Sequence, residues 1–199
     1  AVIFDMRREE EKLETTKQPL ITVVMPNYNG HRFVEQAIDS VLNQTYPNFE
    51  LLVVDDCSKD NSLQLIQQKA KSDDRIRVIA LEHNAGVANA RNVGIKEAKG
   101  KFIALLDNDD LWTEDKLERQ LALANKGADI VYCSYDFIDE QNNPIKKPFI
   151  VPQQTNFNKM LASSVISCST SFIKTELMQA HPFNSDFYHE DYVLWMELL

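Results

Sequence analysis

Phe102-Ile103-Ala104-Leu105-Leu106-Asp107-Asn108-Asp109-Asp110 sets five apolar residues directly before three carboxylates and an amide. A continuous apolar run bounded by polar residues reads as a buried strand. The acids at its end repel one another and do not share a site cheaply when unpaired. A divalent cation relieves that repulsion, and a cation at a strand end commonly brings an anionic ligand, phosphate above all. The same residues also suit a helix N-terminus, so capping stands beside metal binding as a reading of the tetrad. A calcium loop starting at Asp107 fits poorly, because its sixth position needs glycine and holds Trp112.

Working outward, the same unit repeats. Leu20 to Met25 reads as a buried strand stopped by Pro26, followed by loop residues Pro26-Asn27-Tyr28-Asn29-Gly30. Apolar residues at Phe33, Val34, Ala37, Ile38, Val41 and Leu42 then predict a helix with one apolar face. Phe49 to Val54 is a second strand ending in Asp55-Asp56, with Ser58, Asp60 and Asn61 as caps for a helix through Leu63, Leu65 and Ile66. Ile76 to Leu81 is a third strand. A helix follows from Gly86 to Ala98, with Gly100 placed to end it. Beyond the quoted strand come a helix from about Thr113 to Asn125 and a strand from Ile130 to Tyr135.

Strands alternating with helices imply right-handed crossovers and a mostly parallel sheet, which binds ligands outside the carboxyl ends of its strands. Three polar clusters sit there: Pro26 to Asn29, Asp55 to Ser58 and Asp107 to Asp110. After Tyr135 the alternation breaks. Asn142-Asn143-Pro144 reads as a turn, Val165 to Lys174 as a strand, and His189 onward as a helix opening with two acids. The expected division is a charged leader over 1–18, a ligand-binding half over 19–135 and a second half over 136–199. The start at Ala1 and the stop inside an apparent helix read as a piece of a longer chain.

The 199 residues carry a formal charge of −9, with 44% hydrophobic and 26% charged residues. That balance suits a globular protein and disfavours nucleic acid as a ligand, since phosphate backbones need a basic surface. An anionic substrate must therefore be received by local groups or a metal. Cys57, Cys133 and Cys168 show no zinc or redox spacing and read as reduced structural thiols. No apolar run reaches the ~18 residues of a membrane span, and no signal peptide opens the chain.

Together these residues resemble family 2 of the inverting glycosyltransferases, built on the GT-A fold. The matching pieces are Val24-Met25-Pro26-Asn27-Tyr28-Asn29, Ser40 to Tyr46 and Glu50 to Ser58. Asn84-Ala85-Gly86 running to Ala90-Arg91-Asn92, Leu106 to Asp110 and Glu190-Asp191-Tyr192 complete the set. The likeness covers about Pro19 to Leu199, and six motifs in order make it specific. It implies a Rossmann-like, mostly parallel central sheet flanked by helices, with a smaller mixed C-terminal part that is cut short.

The resemblance also implies a nucleotide-diphosphate sugar donor, a UDP-sugar first, and Mn2+ or Mg2+. Asp109 would be the metal ligand of a DxD-type motif, with Asn108 near the donor ribose and Asp107 assisting either. Asp56 is the candidate for reading the base and Tyr28 for stacking on it, with Pro26 and Asn29 of the same loop as further substrate-binding candidates. Arg91 would approach the diphosphate or pair with nearby acids. Asp191 is the candidate general base, taking the proton of an acceptor hydroxyl as it attacks the sugar, with Glu190 beside it. Trp195 and Trp112 read as core residues, although Trp195, one turn after Asp191, also suits an acceptor platform.

Relatives imply a glycan or lipid-linked acceptor, polysaccharide synthesis, and a cytoplasmic place, peripheral at the inner membrane face. A nucleotide-sugar-binding subunit without turnover is the alternative. A nucleotidyltransferase fits less well, for want of a Gly-rich basic loop after the first strand.

Overall fold

The computed structural model describes residues 18–199, so the charged leader lies almost wholly outside the described residues. The elements run β1 (Ile21–Asn27), α1 (Val34–Leu42), β2 (Phe49–Asp55), α2 (Ser62–Ser72), β3 (Ile76–Ala80), α3 (Val87–Glu97), β4 (Phe102–Leu105) and α4 (Lys116–Ala124). There follow β5 (Ile130–Val131), β6 (Tyr135–Ile138), β7 (Pro144–Phe149), α5 (Phe157–Ala162), β8 (Phe172–Lys174), α6 (Thr175–Ala180) and α7 (Glu190–Leu198). Six strands form one sheet in the order β3-β2-β1-β4-β8-β5; β6 and β7 form a separate hairpin.

β3, β2, β1 and β4 are parallel, as the alternating pattern requires. β8 runs antiparallel between β4 and β5. Every residue of β1 and β2 is buried, which is why both read as near-continuous apolar runs. Because successive side chains alternate faces, each strand feeds two cores. Val23, Met25, Leu51 and Val53 pack with Val34, Ile38 and Val41 of α1, Ile66 of α2 and Leu117 of α4. Val24, Ile103 and Leu105 pack with Ile95 of α3, Met178 of α6, and Leu194 and Trp195 of α7. The result is three layers, helix–sheet–helix.

Two expected strands come out shorter. Val165–Lys174 is a strand only from Phe172, because Cys168–Thr170 closes a 3-10 turn with a Ser167/Thr170 capping box. The Thr170 and Ser171 hydroxyls donate to the Ser167 and Cys168 carbonyls, local bonds that compete with sheet pairing. Ile130–Tyr135 is a strand only over two residues. The chain then leaves the sheet, the Ser134 hydroxyl accepts from the Val151 N–H, and Tyr135 opens the hairpin with β7. α4 begins at Lys116 rather than Thr113. The helix over Glu190–Leu198 and its two leading acids are as expected.

Candidate active site

The ends of β1, β2 and β4 and the start of α3 wall a cleft of about 380 Å3. Pro26, Asn27 and Tyr28 come from the end of β1, Asp56 from beyond β2, and Asp107, Asn108 and Asp109 from beyond β4. Asn84, Gly86, Val87, Ala90 and Arg91 form the wall made by the turn into α3. The three polar clusters of the sequence thus meet at one carboxyl edge, where the loops diverge and leave a crevice.

Asn27 is the hub. It is buried, opposite Asp55 in the β1–β2 register, and its Nδ2 donates to Asp55 Oδ1 at 2.7 Å and to Ser62 Oγ at 3.0 Å. Its Oδ1 accepts from Asn108 Nδ2 at 2.7 Å, which fixes the loop after β4 to the end of β1. Gly30 makes this possible, because a Cβ there would lie 2.1 Å from Asn108 Nδ2 and 2.3 Å from Asn27 Oδ1. Sequence reasoning saw Asn27 and Gly30 only as loop residues. An Asn at a strand end followed by Gly three residues on was the available signal.

Asp56 is 2% exposed, and its two oxygens accept from the backbone N–H groups of Ala85 (2.9 Å) and Gly86 (2.8 Å). Gly86 holds φ at 88°, a left-handed value that suits glycine, and α3 starts at the next residue. Each carboxylate oxygen keeps a second lone pair for a ligand. Tyr28 is half exposed in the cleft wall. Asn29 is not on that wall. With φ at 52°, it accepts from the Lys59 N–H at 2.7 Å and donates its own N–H to Ser58 Oγ at 3.0 Å, strapping the β1 and β2 loops together.

Arg91 is 5% exposed and holds two acids at once: Nη2 donates to Asp107 Oδ1 at 2.6 Å and Nη1 to Glu190 Oε1 at 2.7 Å. Burial opposes its charge, but Cys168, Asp107 and Glu190 outweigh burial and hold the guanidinium above its ordinary range. Its Nε is buried without a partner among the described residues. Through Arg91 the first turn of α7 is docked onto the cleft wall. Glu190 and Asp191 lie outside the lining itself, and Asp191 Oδ1 accepts from the Tyr192 N–H at 2.8 Å. The buried Cys168 thiol is pushed well up by burial; Arg91 opposes this, while Asp107, Asp191 and Glu190 add to it, so all four charged groups act on one buried sulfur.

Behind the acidic loop stands Ser169, which sequence reasoning missed entirely. Its hydroxyl accepts from the Asp107 N–H at 3.0 Å, and its carbonyl accepts from Trp112 Nε1 at 2.8 Å. The Asp110 carboxyl is pushed above the usual range by desolvation first, against a Ser169 hydrogen bond, and by its neighbours Asp107 and Asp109. That is the repulsion read from the sequence. Asp109 is exposed on the cleft wall, and no hydrogen bond or ion pair engages it among the described residues. Among those residues no group of three His, Cys, Asp or Glu side chains is assembled to hold a metal. A cation that shares one protein carboxylate with diphosphate oxygens needs no such cage, so the residues present fit Mn2+ or Mg2+. Trp195 is fully buried, edge-on to Phe183, which makes it core and not a platform.

The family model described as "Glycosyl transferase family 2" matches residues 22–180. The chain belongs to that family. This family 2 chain is 41% identical over 182 residues to the Escherichia coli protein named UDP-Glc:alpha-D-GlcNAc-diphosphoundecaprenol beta-1,3-glucosyltransferase WfgD, covering 90% of this chain and 70% of that one. It is 34% identical over 186 residues to the putative teichuronic acid biosynthesis glycosyltransferase TuaG of Bacillus subtilis, covering 93% and 74%. The crystal structure of S. aureus TarS 1-349 in complex with UDP-GlcNAc superposes with a TM-score of 0.74 at 25% identity. That match covers 89% of this chain but spans only 52% of TarS 1-349. These likenesses place the chain in the glycosyltransferase class of enzymes, with the GT-A sheet.

Proposed function

We propose that this chain moves a hexosyl or N-acetylhexosaminyl group from a UDP-sugar to a hydroxyl of a lipid-linked glycan by one inverting displacement. The observation that carries the reading is the meeting of Tyr28, Asp56, Asn108 and Asp109 around one cleft, with Arg91 docking the Glu190–Asp191 turn against it. Tyr28 stacks on the base, the free lone pairs of Asp56 accept its imide N–H, and Asn108 meets the ribose. Asp109 would hold Mn2+ or Mg2+, which when bound offsets the charge growing on the departing diphosphate. Arg91 keeps Asp107 in place beside it. Asp191 removes the acceptor hydroxyl proton as the new bond forms, so no covalent intermediate is needed.

The acceptor class is supported by the likeness to WfgD, whose name specifies a GlcNAc-diphosphoundecaprenol acceptor. With such an acceptor the reaction would run at the inner face of the membrane, in polysaccharide synthesis. No helix among the described residues is long and apolar enough to cross a membrane. The test is a thermal-shift and transfer panel of UDP-, GDP- and dTDP-sugars with a synthetic GlcNAc-diphospholipid, with and without Mn2+. UDP-sugars should stabilise the protein with Mn2+ and support transfer that EDTA stops. Full transfer in EDTA would remove the cation from the reaction, and no response to any nucleotide sugar would defeat the reading.

A further inference from the structure

From Gln141 to Thr175 the chain contains no Asp or Glu and four lysines, although the whole sequence has 30 acids against 21 bases. Residues of the acidic loop, the Arg91 bridge and the sheet core do not account for this. The stretch also carries large apolar side chains in water: Ile145 is 61% exposed, Ile150 74%, Phe157 46% and Leu161 60%. Phe157 and Leu161 are one turn apart on α5, so they share a face of that helix.

Three of the lysines are without an acid: the Lys146 ammonium sits over the Phe137 ring, and Lys159 Nζ donates to the Gln154 carbonyl at 3.4 Å. Lys174 pairs with Asp129, but Lys146, Lys147 and Lys159 meet no carboxylate among the described residues. The acids of the facing strand and turn are mostly engaged. Asp139 accepts from the backbone N–H groups of Gln141 and Asn143, and Glu140 pairs with Arg32, which leaves Asp136. β6 and β7 form a two-stranded ribbon apart from the main sheet, with β7 exposed along nearly its whole length. Such a ribbon is marginal when nothing covers it.

Its position relates it to the cleft. The hairpin turn is fastened by Arg32–Glu140 to the turn between the Pro26–Gly30 loop and α1, and to α1 itself by Asn142 Nδ2 donating to Gln36 Oε1. α5 is fastened to α7, which carries Asp191, by the Tyr192 hydroxyl donating to the Met160 carbonyl at 3.0 Å. The acid-free stretch therefore joins both sides of the site.

We propose that the β6–β7 ribbon and α5 are a docking surface for an anionic phospholipid bilayer. Lysines interleaved with exposed aliphatic and aromatic side chains match that chemistry: the ammonium groups meet headgroup phosphates while the apolar tips enter the acyl boundary. The acidic remainder of the chain is repelled by the same surface, so the ribbon and α5 are the part turned toward the lipid. A nucleic acid would use the lysines but leave Ile145, Ile150, Phe157 and Leu161 in water. The proposal gives the lipid-linked-acceptor reading its place of contact, yet lipid binding needs neither donor nor metal, so the two readings fail separately.

The experiment is co-sedimentation with vesicles of phosphatidylcholine alone and of phosphatidylcholine mixed with phosphatidylglycerol. The protein should bind the mixed vesicles at least about tenfold better, and added salt should weaken that binding. The triple variant Lys146→Glu, Lys147→Glu, Lys159→Glu should lose it, while Lys71→Glu, Lys96→Glu, Lys126→Glu, an equal charge change elsewhere, should keep most of it. Circular dichroism melting checks that both triple variants fold. Independently, Ile150→Trp should shift its emission to the blue with mixed vesicles only. Equal binding to both vesicle types, equal loss in the two triple variants, or no emission shift would each overturn the proposal. A dimer in light scattering that the first triple variant dissolves would give the surface to a second copy instead.

Discussion

Residues 21–112 and residues 130–199 are held in different ways. In the first block one rule repeats, parallel strand then polar loop then helix, and its loops are tied to one another by buried and half-buried bonds: Asn27 to Asp55 and Asn108, Asp56 to Ala85 and Gly86. The later block enters the sheet only through β8 and the two residues of β5, packs Met178, Leu194 and Trp195 into the second core with Val24, Ile95 and Ile103, and is fastened at the cleft by Arg91–Glu190. Its hairpin and α5 are largely exposed. The contrast teaches where geometry has to be exact. A nucleotide sugar needs a fixed frame, so the frame is over-determined. The exposed hairpin and α5 carry no such frame and are anchored at points.

The largest expected effect separates the two blocks by function. Asp191→Asn should cut transfer by about a thousandfold while leaving donor affinity unchanged, measured by turnover and calorimetry on one preparation. Unaltered turnover would take the base away from α7. Next, Asp109→Ala should lower Mn2+-dependent UDP affinity by about a hundredfold, since a shared cation stabilises by several kcal/mol. Unchanged titration with Mn2+ would detach the metal from the first block.

Arg91→Met attacks the joint itself. It leaves Asp107 and Glu190 without their cation, which should cost about 3 kcal/mol by denaturant unfolding. Amide exchange should quicken in α7 and not in β1 or β2; equal quickening in both would mean the blocks are one cooperative unit.

The smallest effect, read per pH unit, concerns Lys116, under the turn that backs the acidic loop. Burial pushes its ammonium down to about 7, against an opposing influence from Cys133. The unfolded chain keeps that proton up to about pH 10. Between those values the unfolded state binds more protons, so stability should rise with pH by up to about 1.4 kcal/mol per unit. Lys116→Met should flatten the rise, and a flat profile in the parent protein would show the ammonium stays charged in the fold.

The first block was legible because burial on both faces writes itself as apolar runs, and because Asp56, Asp107 and Asp109 follow those runs directly. Its fine structure was not. Asn27 works through partners at positions 55, 62 and 108, distances along the chain that no local pattern encodes. Ser169 reaches Asp107 from a turn that reads as strand, because Val165, Ile166, Phe172 and Ile173 dominate the pattern while hydroxyl-to-carbonyl bonds decide the backbone. The hairpin was readable only as the Asn142-Asn143-Pro144 turn between short extended pieces, without strand bounds, since neither of its strands has a buried face to mark them.

Arg91 serves Asp107 with one amino group and Glu190 with the other. One guanidinium is thereby a connector of fixed pitch. A chimera that exchanged everything past residue 130 for the matching piece of a relative would seat only where the incoming helix offers an acid at the place of Glu190. Lysine at 91, with a single ammonium, would not span the gap.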